Sequence, residues 1–367
     1  MKILHIIGAL SPGGAEVLLA DLCKNVNRGI SLSGSIKVEV IANRTGVLEE
    51  ELKKHGVKVT IISRKGFDVK FIRKLRNYVI ENQVDVIHSH SGLNSIHAVI
   101  ASSFMGVKNV LTVHGHSLYN YRFLRFFVYT FLDKILFVSG YLKTFFVGVN
   151  DRNINKYLVH YNGIDSKKFN HVNPLEQSHL NLPDNAFVAG MVGNFNNIRD
   201  HLTVCKAVNL LLKGGLDFHF IFVGGAQGFE FEEECKRYCE KHHLKDHVHF
   251  LGSRQDIPKI LATLDLFVYS SNRDTFGIAV VEAMMSGTPV IVNDLPVFQE
   301  ITDNGKYAQL YKTKDADDLA EKIEYFISHP DKRSELGERG RKWALENYTI
   351  EKHIEQLHSI YTELLTD

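Results

Sequence analysis

Two carboxylates flanking a glycine loop form the densest piece of potential chemistry in this chain. The stretch from Ser270 to Val290 reads S-S-N-R-D-T-F-G-I-A-V-V-E-A-M-M-S-G-T-P-V. It follows an apolar run, Leu264 to Tyr269, passes a loop holding Asp274, Phe276 and Gly277, and enters a helical run that contains Glu282. A helix start offers unbonded N–H groups to a phosphate, and open parallel sheets bind ligands beyond the carboxyl ends of their strands. The same dipole attracts an ordinary acidic residue, so Asp274 alone has an ordinary explanation as a helix-entry charge.

Other residues point to phosphate or sugar chemistry. Gly13 and Gly14, in S-P-G-G-A-E, sit between a strand-like run and a helical one, where glycine lets the backbone approach a phosphate. The loop lacks the G-x-G-x-x-G spacing of dinucleotide sites, and a turn without a ligand explains it as well. Arg199 follows an apolar run in M-V-G-N-F-N-N-I-R-D-H. Its guanidinium could neutralise a pyrophosphate or simply pair with Asp200. His88 and His90, in D-V-I-H-S-H, and His114 and His116, in L-T-V-H-G-H, end two strand-like runs. Imidazole there can donate to a sugar hydroxyl or work near neutral pH. Zinc is the competing use of these four, but no carboxylate or cysteine completes a ligand set. The run K-H-H-L-K-D-H-V-H, Lys241 to His249, reads as a solvated helix end, and N-G-I-D at Asn162 to Asp165 reads as a turn.

The elements that must position these residues alternate. Strand-like runs at Lys2–Ile7, Val38–Ala42, Val57–Ile62, Val84–His88, Asn109–Val113, Ile135–Val138 and Tyr157–His160 are separated by segments of helical spacing where the intervals allow. A polar, aperiodic stretch with Pro174 and Pro183 follows. Alternation then resumes at Phe187–Val192, Asp217–Val223, Val248–Leu251, Leu264–Tyr269 and Thr288–Val292, and Ile350 to Leu365 forms a last amphipathic helix. This pattern predicts an α/β chain with two parallel-sheet domains. The expected division is 1–168, a linker at 169–185, 186–347, and a closing helix at 348–367. A length of 367 residues is too great for one core of typical size.

Charge excludes some partners. Lys and Arg total 43 against 42 Asp and Glu, so no global field recruits nucleic acid. Cys23, Cys205, Cys235 and Cys239 are too few and too irregular for a disulfide framework. The spacing of Cys235 and Cys239 would allow a metal pair, but no second close pair accompanies it. Met1-Lys2 leads straight into I-L-H-I-I, a strand rather than a signal peptide, and no apolar run is long enough to span a bilayer. The expected location is cytoplasmic, with peripheral contact at the inner face of the membrane as an option.

Taken together, the early G-G-A-E loop, H-x-H, T-V-H-G, the N-G-I-D turn, V-G-N-F-x-x-x-R and D-T-F-G-x-x-x-x-E-A-M-x-x-G-T-P-V resemble retaining glycosyltransferases of family 4. The resemblance runs from Lys2 to beyond Tyr348. It implies the GT-B architecture, two Rossmann-like domains facing a cleft, with the C-terminal helix crossing back to the first domain. It also implies a UDP- or GDP-sugar donor held by the second domain, a glycan or lipid-linked acceptor presented by the first, and no cofactor or metal. Glu282 matches the glutamate that binds the ribose hydroxyls. Asp274 stands where a glutamate usually meets the transferred sugar, giving Asp-x7-Glu with a shorter first arm. Arg199 falls at the basic position that meets the diphosphate. Asn194, after Gly193, replaces a companion arginine, so the amides of Phe276, Gly277 and Ile278 are expected to carry more of the phosphate charge. His114 matches the histidine near the donor sugar, and Gly13 and Gly14 match the loop that approaches the diphosphate.

The acceptor side offers one further pattern. Tyr119, Tyr121, Arg122, Phe123, Arg125 and Phe126, followed by more aromatics, together with Lys70, Arg73, Lys74 and Arg76, combine aromatic and basic residues that suit an anionic membrane. A core helix with a basic edge gives the same pattern. The expected role is therefore sugar transfer in surface polysaccharide or glycolipid assembly. The alternatives are a GT-B protein that binds a sugar nucleotide without transferring it, and a sugar-nucleotide epimerase.

Overall fold

Short β-branched runs separated by helices can pair in parallel only if each connection carries the chain back to the starting edge. This is what the computed structural model shows. It describes residues 1–11, 13–30, 36–116, 130–147, 155–226 and 228–366. The chain divides into two compact units, Met1–Asp165 with Tyr348–Asp367, and Ser166–Asn347.

The first unit is built on a seven-stranded sheet, and all its pairings are parallel. In chain order its strands are β1 (Lys2–Ile7), β2 (Lys37–Ala42), β3 (Lys58–Ile61), β4 (Val86–Ser89), β5 (Lys108–Val113), β6 (Lys134–Phe137) and β7 (Tyr157–Val159). They lie side by side as β3-β2-β1-β4-β5-β6-β7. Side chains alternate between the faces of a strand. Leu4, Ile6 and Ile87 accordingly pack with Phe71 and Leu75 of helix Val69–Asn82, while Ile3, Ile7, Val86 and Val110 pack on the opposite side.

That opposite side holds the final helix, Ile350–Thr366. Its spacing buries Ile350, Ile354, Leu357, Tyr361 and Leu364 in the first unit's core. The N-G-I-D turn fastens it there. Ile164 donates to the Tyr348 carbonyl at 2.8 Å and accepts from the Ile350 amide at 2.9 Å. A Cβ on Gly163 would collide with the His353 side chain, so glycine is what lets the turn lie against the helix.

The second unit has a six-stranded sheet, again parallel throughout. Its strands are β8 (Val188–Val192), β9 (His219–Val223), β10 (Val248–Phe250), β11 (Leu266–Tyr269), β12 (Val290–Asn293) and β13 (Gln309–Tyr311), ordered β10-β9-β8-β11-β12-β13. The polar stretch after Asp165 belongs to this unit and holds two short 3₁₀ turns, Ser166–Phe169 and Gln177–Leu180. All four cysteines are buried thiols.

Sequence reading missed β13 and the helices Gly140–Val147, Ile257–Thr263 and Pro296–Ile301. Each is short, and periodicity needs more residues than these supply. The expected strand Val248–Leu251 is the edge strand β10, Val248–Phe250, so the run Lys241 to His249 is a helix end only in its first part.

The clasped final helix leads to a stability prediction. Ile354→Ala removes a side chain only 2% exposed and should cost about 2–5 kcal/mol in denaturant unfolding. The exposed neighbour Glu355→Ala should change stability by less than ~0.5 kcal/mol.

Candidate active site

Each sheet gathers polar side chains at its carboxyl edge, where the strand order reverses: at β1 and β4 in the first unit, and at β8 and β11 in the second. Loops leave such a point in opposite directions, which opens a crevice suited to a ligand.

In the first unit His5 pairs in register with His88, and His88 with Val110. Two-residue alternation then puts His5, His88, His90, Thr112 and His114 on one face. His5 Nδ1 lies 3.0 Å from His90 Nε2, and His90 Nδ1 lies 3.0 Å from His114 Nε2. Between neutral rings each contact needs one N–H and one lone pair, so the tautomers of the three rings are set together. His88 stands apart from this chain, with Nδ1 2.5 Å from the Tyr361 hydroxyl and Nε2 2.6 Å from Thr112 Oγ1.

Burial lowers the pKa of every ring in this group, because a cation there loses its water. Burial, followed by the proximity of His353, takes His5 to about 3 and His114 to about 4. His114 is thus neutral at physiological pH, and one of its nitrogens is already fixed by His90. The zinc set of four does not assemble. The ring nitrogens within 4.8 Å of one another are those of His5, His88 and His90, whereas His116 stands edge-on to Phe145 at 4.8 Å. Gly13 and Gly14 follow β1, Gly13 as the N-cap of helix Gly14–Asn25 in extended conformation.

In the second unit the loop after β8 is zipped to the loop after β11. Asp200 donates its amide to the Ser270 carbonyl at 3.1 Å, and Asn272 donates to Ile198 at 2.7 Å. Buried Asn293, at the end of β12, exchanges two hydrogen bonds with the Ser271 backbone, at 3.1 and 2.9 Å. Ser271 Oγ in turn accepts from Arg199 Nη1 at 2.9 Å.

Arg199 is consequently no isolated cation. Its Nη1 lies 2.9 Å from Asp274 Oδ2, and its guanidinium sits 5.0 Å over the Tyr269 ring. Burial disfavours the charge, but Tyr269 and Asp274 outweigh it, so the pKa is raised and Arg199 stays ionised. Asp274 is equally engaged. Oδ2 also accepts from the Tyr269 hydroxyl at 3.3 Å, while Oδ1 accepts the amides of Thr275 at 2.7 Å and Phe276 at 3.2 Å. Here the structure corrects an expectation, because the Phe276 amide is spent on Asp274 rather than left for a phosphate. The shorter aspartate sits close enough to its own loop to cap it.

Gly277 stands at φ 88° as the N-cap of helix Ile278–Ser286, with no side-chain cap. Left-handed φ favours glycine, and the first-turn amides, Ile278 among them, keep the anion-binding character of a bare helix start. Glu282 lies half-buried within this helix. Gly193 donates its amide to Val223 at 2.8 Å, and Asn194 Oδ1 accepts from Gly225 at 2.9 Å, so Asn194 builds the loop instead of supplying charge. A cavity of about 390 Å³ opens beside this cluster, lined by Asn196, Arg199, His201, Lys206, Cys235 and Asn272 among others. An Asp-x-Asp spacing does occur in the chain, at Asp315-Ala316-Asp317, but Asp315 caps helix Ala316–Ser328 by accepting the Asp318 amide at 3.1 Å.

Comparison with known proteins decides the family. Residues 12–168 match the family model described as Glycosyltransferase Family 4, and residues 173–343 match the model described as Glycosyl transferases group 1. The chain belongs to glycosyltransferase family 4.

This glycosyltransferase is 24% identical over 315 residues to UDP-Gal:alpha-D-GlcNAc-diphosphoundecaprenol alpha-1,3-galactosyltransferase of Escherichia coli, covering 82% of this chain and 81% of that one. It is 24% identical over 319 residues to N-acetyl-alpha-D-glucosaminyl L-malate synthase of Bacillus anthracis, covering 82% and 80%. Its fold matches a glycosyltransferase from Rickettsia africae with a TM-score of 0.90 at 20% identity, over 100% of this chain and 99% of that one. It also matches Anabaena HepE in complex with UDP and glucose, with a TM-score of 0.84 at 23% identity over 99% of both chains. The GT-B fold is therefore established for the glycosyltransferase.

Ser271, Tyr269 and Asn293 escaped the sequence reading of the glycosyltransferase. A strand-terminal asparagine such as Asn293 is a weak signal, and only the pairing of β11 with β12 brings it to Ser271.

The buried neutral histidines make stability depend on pH. Because their folded pKa values lie below the unfolded value, the unfolded chain binds more protons, and stability is complete above about pH 6.5 and falls as pH drops toward 4. A fully buried ring such as His5 contributes a slope of at most about 1.4 kcal/mol per pH unit. Urea midpoints should fall steadily from pH 7 to 4.5; a flat profile would contradict neutral burial.

Proposed function

We propose that this glycosyltransferase moves a sugar from a UDP-sugar, with retained anomeric configuration, to a lipid-linked glycan acceptor during surface polysaccharide or glycolipid assembly. The observation that carries this reading is the carboxyl-edge cluster of the second unit, a charged Arg199 near a glycine-started helix that holds Glu282. Support for UDP over GDP comes from two similar proteins, one named for UDP-Gal and one solved with UDP and glucose. Support for a lipid-linked acceptor comes from the diphosphoundecaprenol in the first of those names.

Departure of the nucleotide leaves negative charge on the diphosphate and an oxocarbenium-like sugar, so preorganised donors at the leaving group supply much of the rate. In this reading Arg199 holds a diphosphate oxygen. Its Nη1 is committed to Ser271 and Asp274, and no hydrogen bond among the described residues engages Nε or Nη2. The amides of Gly277 and Ile278 share the charge. Glu282 binds the ribose hydroxyls, His114 donates to the transferred sugar, and Gly13 and Gly14 form the loop near the diphosphate. Asp274 orients Arg199 and caps its own loop, which makes it a positioning residue.

Calorimetry with UDP, GDP and ADP, followed by hydrolysis of the matching sugar nucleotide, tests this reading directly. Glu282→Ala should weaken UDP binding by at least ~10-fold, the value of a lost charge-assisted hydrogen bond. His114→Ala should leave UDP affinity intact and lower turnover by ~10²-fold or more. Equal UDP affinity in wild type and Glu282→Ala would sink the ribose assignment, and tight binding without any turnover would favour a binding protein.

Peripheral membrane attachment belongs to the same reading. Tyr119 to Phe126 lie outside the described residues, but Lys70, Arg73 and Lys74 are exposed on helix Val69–Asn82 near exposed Phe67 and Val69. No helix among the described residues is long and apolar enough to cross a membrane. Sedimentation with anionic liposomes at low salt should retain the protein, and Lys70→Glu with Arg73→Glu should release much of it. Failure to bind such liposomes at all contradicts the attachment.

A further inference from the structure

Away from the carboxyl edges, metal-binding side chains converge at the opposite, amino edge of the second sheet. Asp217-Phe218-His219 leads into β9, and His247-Val248-His249 leads into the edge strand β10. Two-residue alternation places Asp217 with His219, and His247 with His249, on one face. The parallel register, Val248 beside Phe220, then sets His247 next to His219. The His219 ring centre is 5.3 Å from those of both His247 and His249. One ligating atom from each of Asp217, His219 and His247 lies within 4.8 Å of the other two.

We propose that Asp217, His219 and His247 form a site for a divalent transition metal of the zinc, cobalt and nickel class, with His249 orienting His219. Two imidazoles bound tetrahedrally to one ion, at a metal–nitrogen distance of ~2.1 Å, hold their ring centres roughly 5 Å apart, which is the spacing found here. The outer hydrogen bond of His219 also fits. Metal-bound histidines donate their second N–H to a nearby acceptor. His219 Nδ1 lies 3.0 Å from His249 Nε2, leaving His219 Nε2 for the ion. His247 Nδ1 lies 3.1 Å from the Phe218 carbonyl, which can only accept, so the lone pair of neutral His247 is on Nε2. The exposed Asp217 Oδ1 lies 3.6 Å from His247 Nδ1, the nitrogen that also faces the Phe218 carbonyl, so the His247 ring has to turn to present Nε2 to an ion shared with Asp217. Imidazole with carboxylate suits zinc-like ions better than magnesium or calcium, which prefer all-oxygen ligands.

The histidines of the first unit fail the same criterion. Both nitrogens of His88 are held by hydroxyls, and both nitrogens of His90 are held by other rings. At the amino edge, by contrast, an ion would join β9 to β10, a three-residue edge strand. The site lies at the end of the sheet opposite the candidate nucleotide residues, so its role is to brace the edge.

Tag-free protein, stripped with chelator, should be titrated with cobalt(II) followed by visible absorption, and with zinc(II) by calorimetry. One saturable equivalent is expected, and zinc should raise the thermal midpoint. Asp217→Ala and His247→Ala, both away from the core, should each weaken binding ~10-fold or more while circular dichroism and UDP affinity stay unchanged. His242→Ala, at the end of the neighbouring helix, should leave metal affinity as it was. Binding that survives both ligand variants, binding that is lost with His242, or no saturation below about millimolar metal would each overturn the site.

Discussion

Parallel strand pairing is the constraint on which the rest of this structure depends. A strand that must run in the same direction as its neighbour forces the chain to cross back through a helix, and every strand then ends at the same edge. That edge collects the loops carrying His90 and His114 in the first unit, and Arg199, Ser271 and Asp274 in the second. Chemistry gathers there because topology delivers polar loops and bare helix starts to one place. The opposite edge receives only the strand beginnings, and a polar cluster such as Asp217, His219 and His247 found there calls for its own explanation.

Within the second unit the decisive local interaction is the pairing of Arg199 with Asp274. A guanidinium with little exposure is costly to bury alone, and Asp274 with the Tyr269 ring makes its burial tolerable. The same carboxylate caps the turn into helix Ile278–Ser286. One aspartate thereby ties the basic residue to the glycine-started helix, and a longer glutamate would have to reorganise both contacts. Asn194 contributes in a similar way, closing its loop on Gly225 instead of adding charge.

The first unit reaches its polar order by another route. His5, His90 and His114 form a hydrogen-bonded series beneath which His88 is anchored to Tyr361 of the final helix. Charge is kept out by burial, and directionality comes from matched tautomers. Tyr361 links His88 to the far end of the sequence, 273 residues away. The clasp of Ile164 with Tyr348 and Ile350 makes that link geometrically reliable.

How much of this could be read from the chain follows from which forces are local. Alternating short apolar runs and helical segments determined the α/β class, the parallel sheets and the division into two units, because hydrophobic periodicity is written residue by residue. The motif from Asp274 to Val290, with the looser motifs around it, carried the resemblance to glycosyltransferase family 4 and pointed to a helix start suited to anions. What only the tertiary structure decided were the partners: Arg199 with Asp274, Phe276 with the same carboxylate, Asn293 with Ser271, and His219 with His247. Short elements such as Gln309–Tyr311 were equally invisible, since three residues carry no period and become a strand only by pairing with β12. Hydrogen bonds and ion pairs have ranges of a few ångströms in space but span dozens of residues in sequence, so no local pattern encodes them, and the fold must bring the two ends together before either has its role.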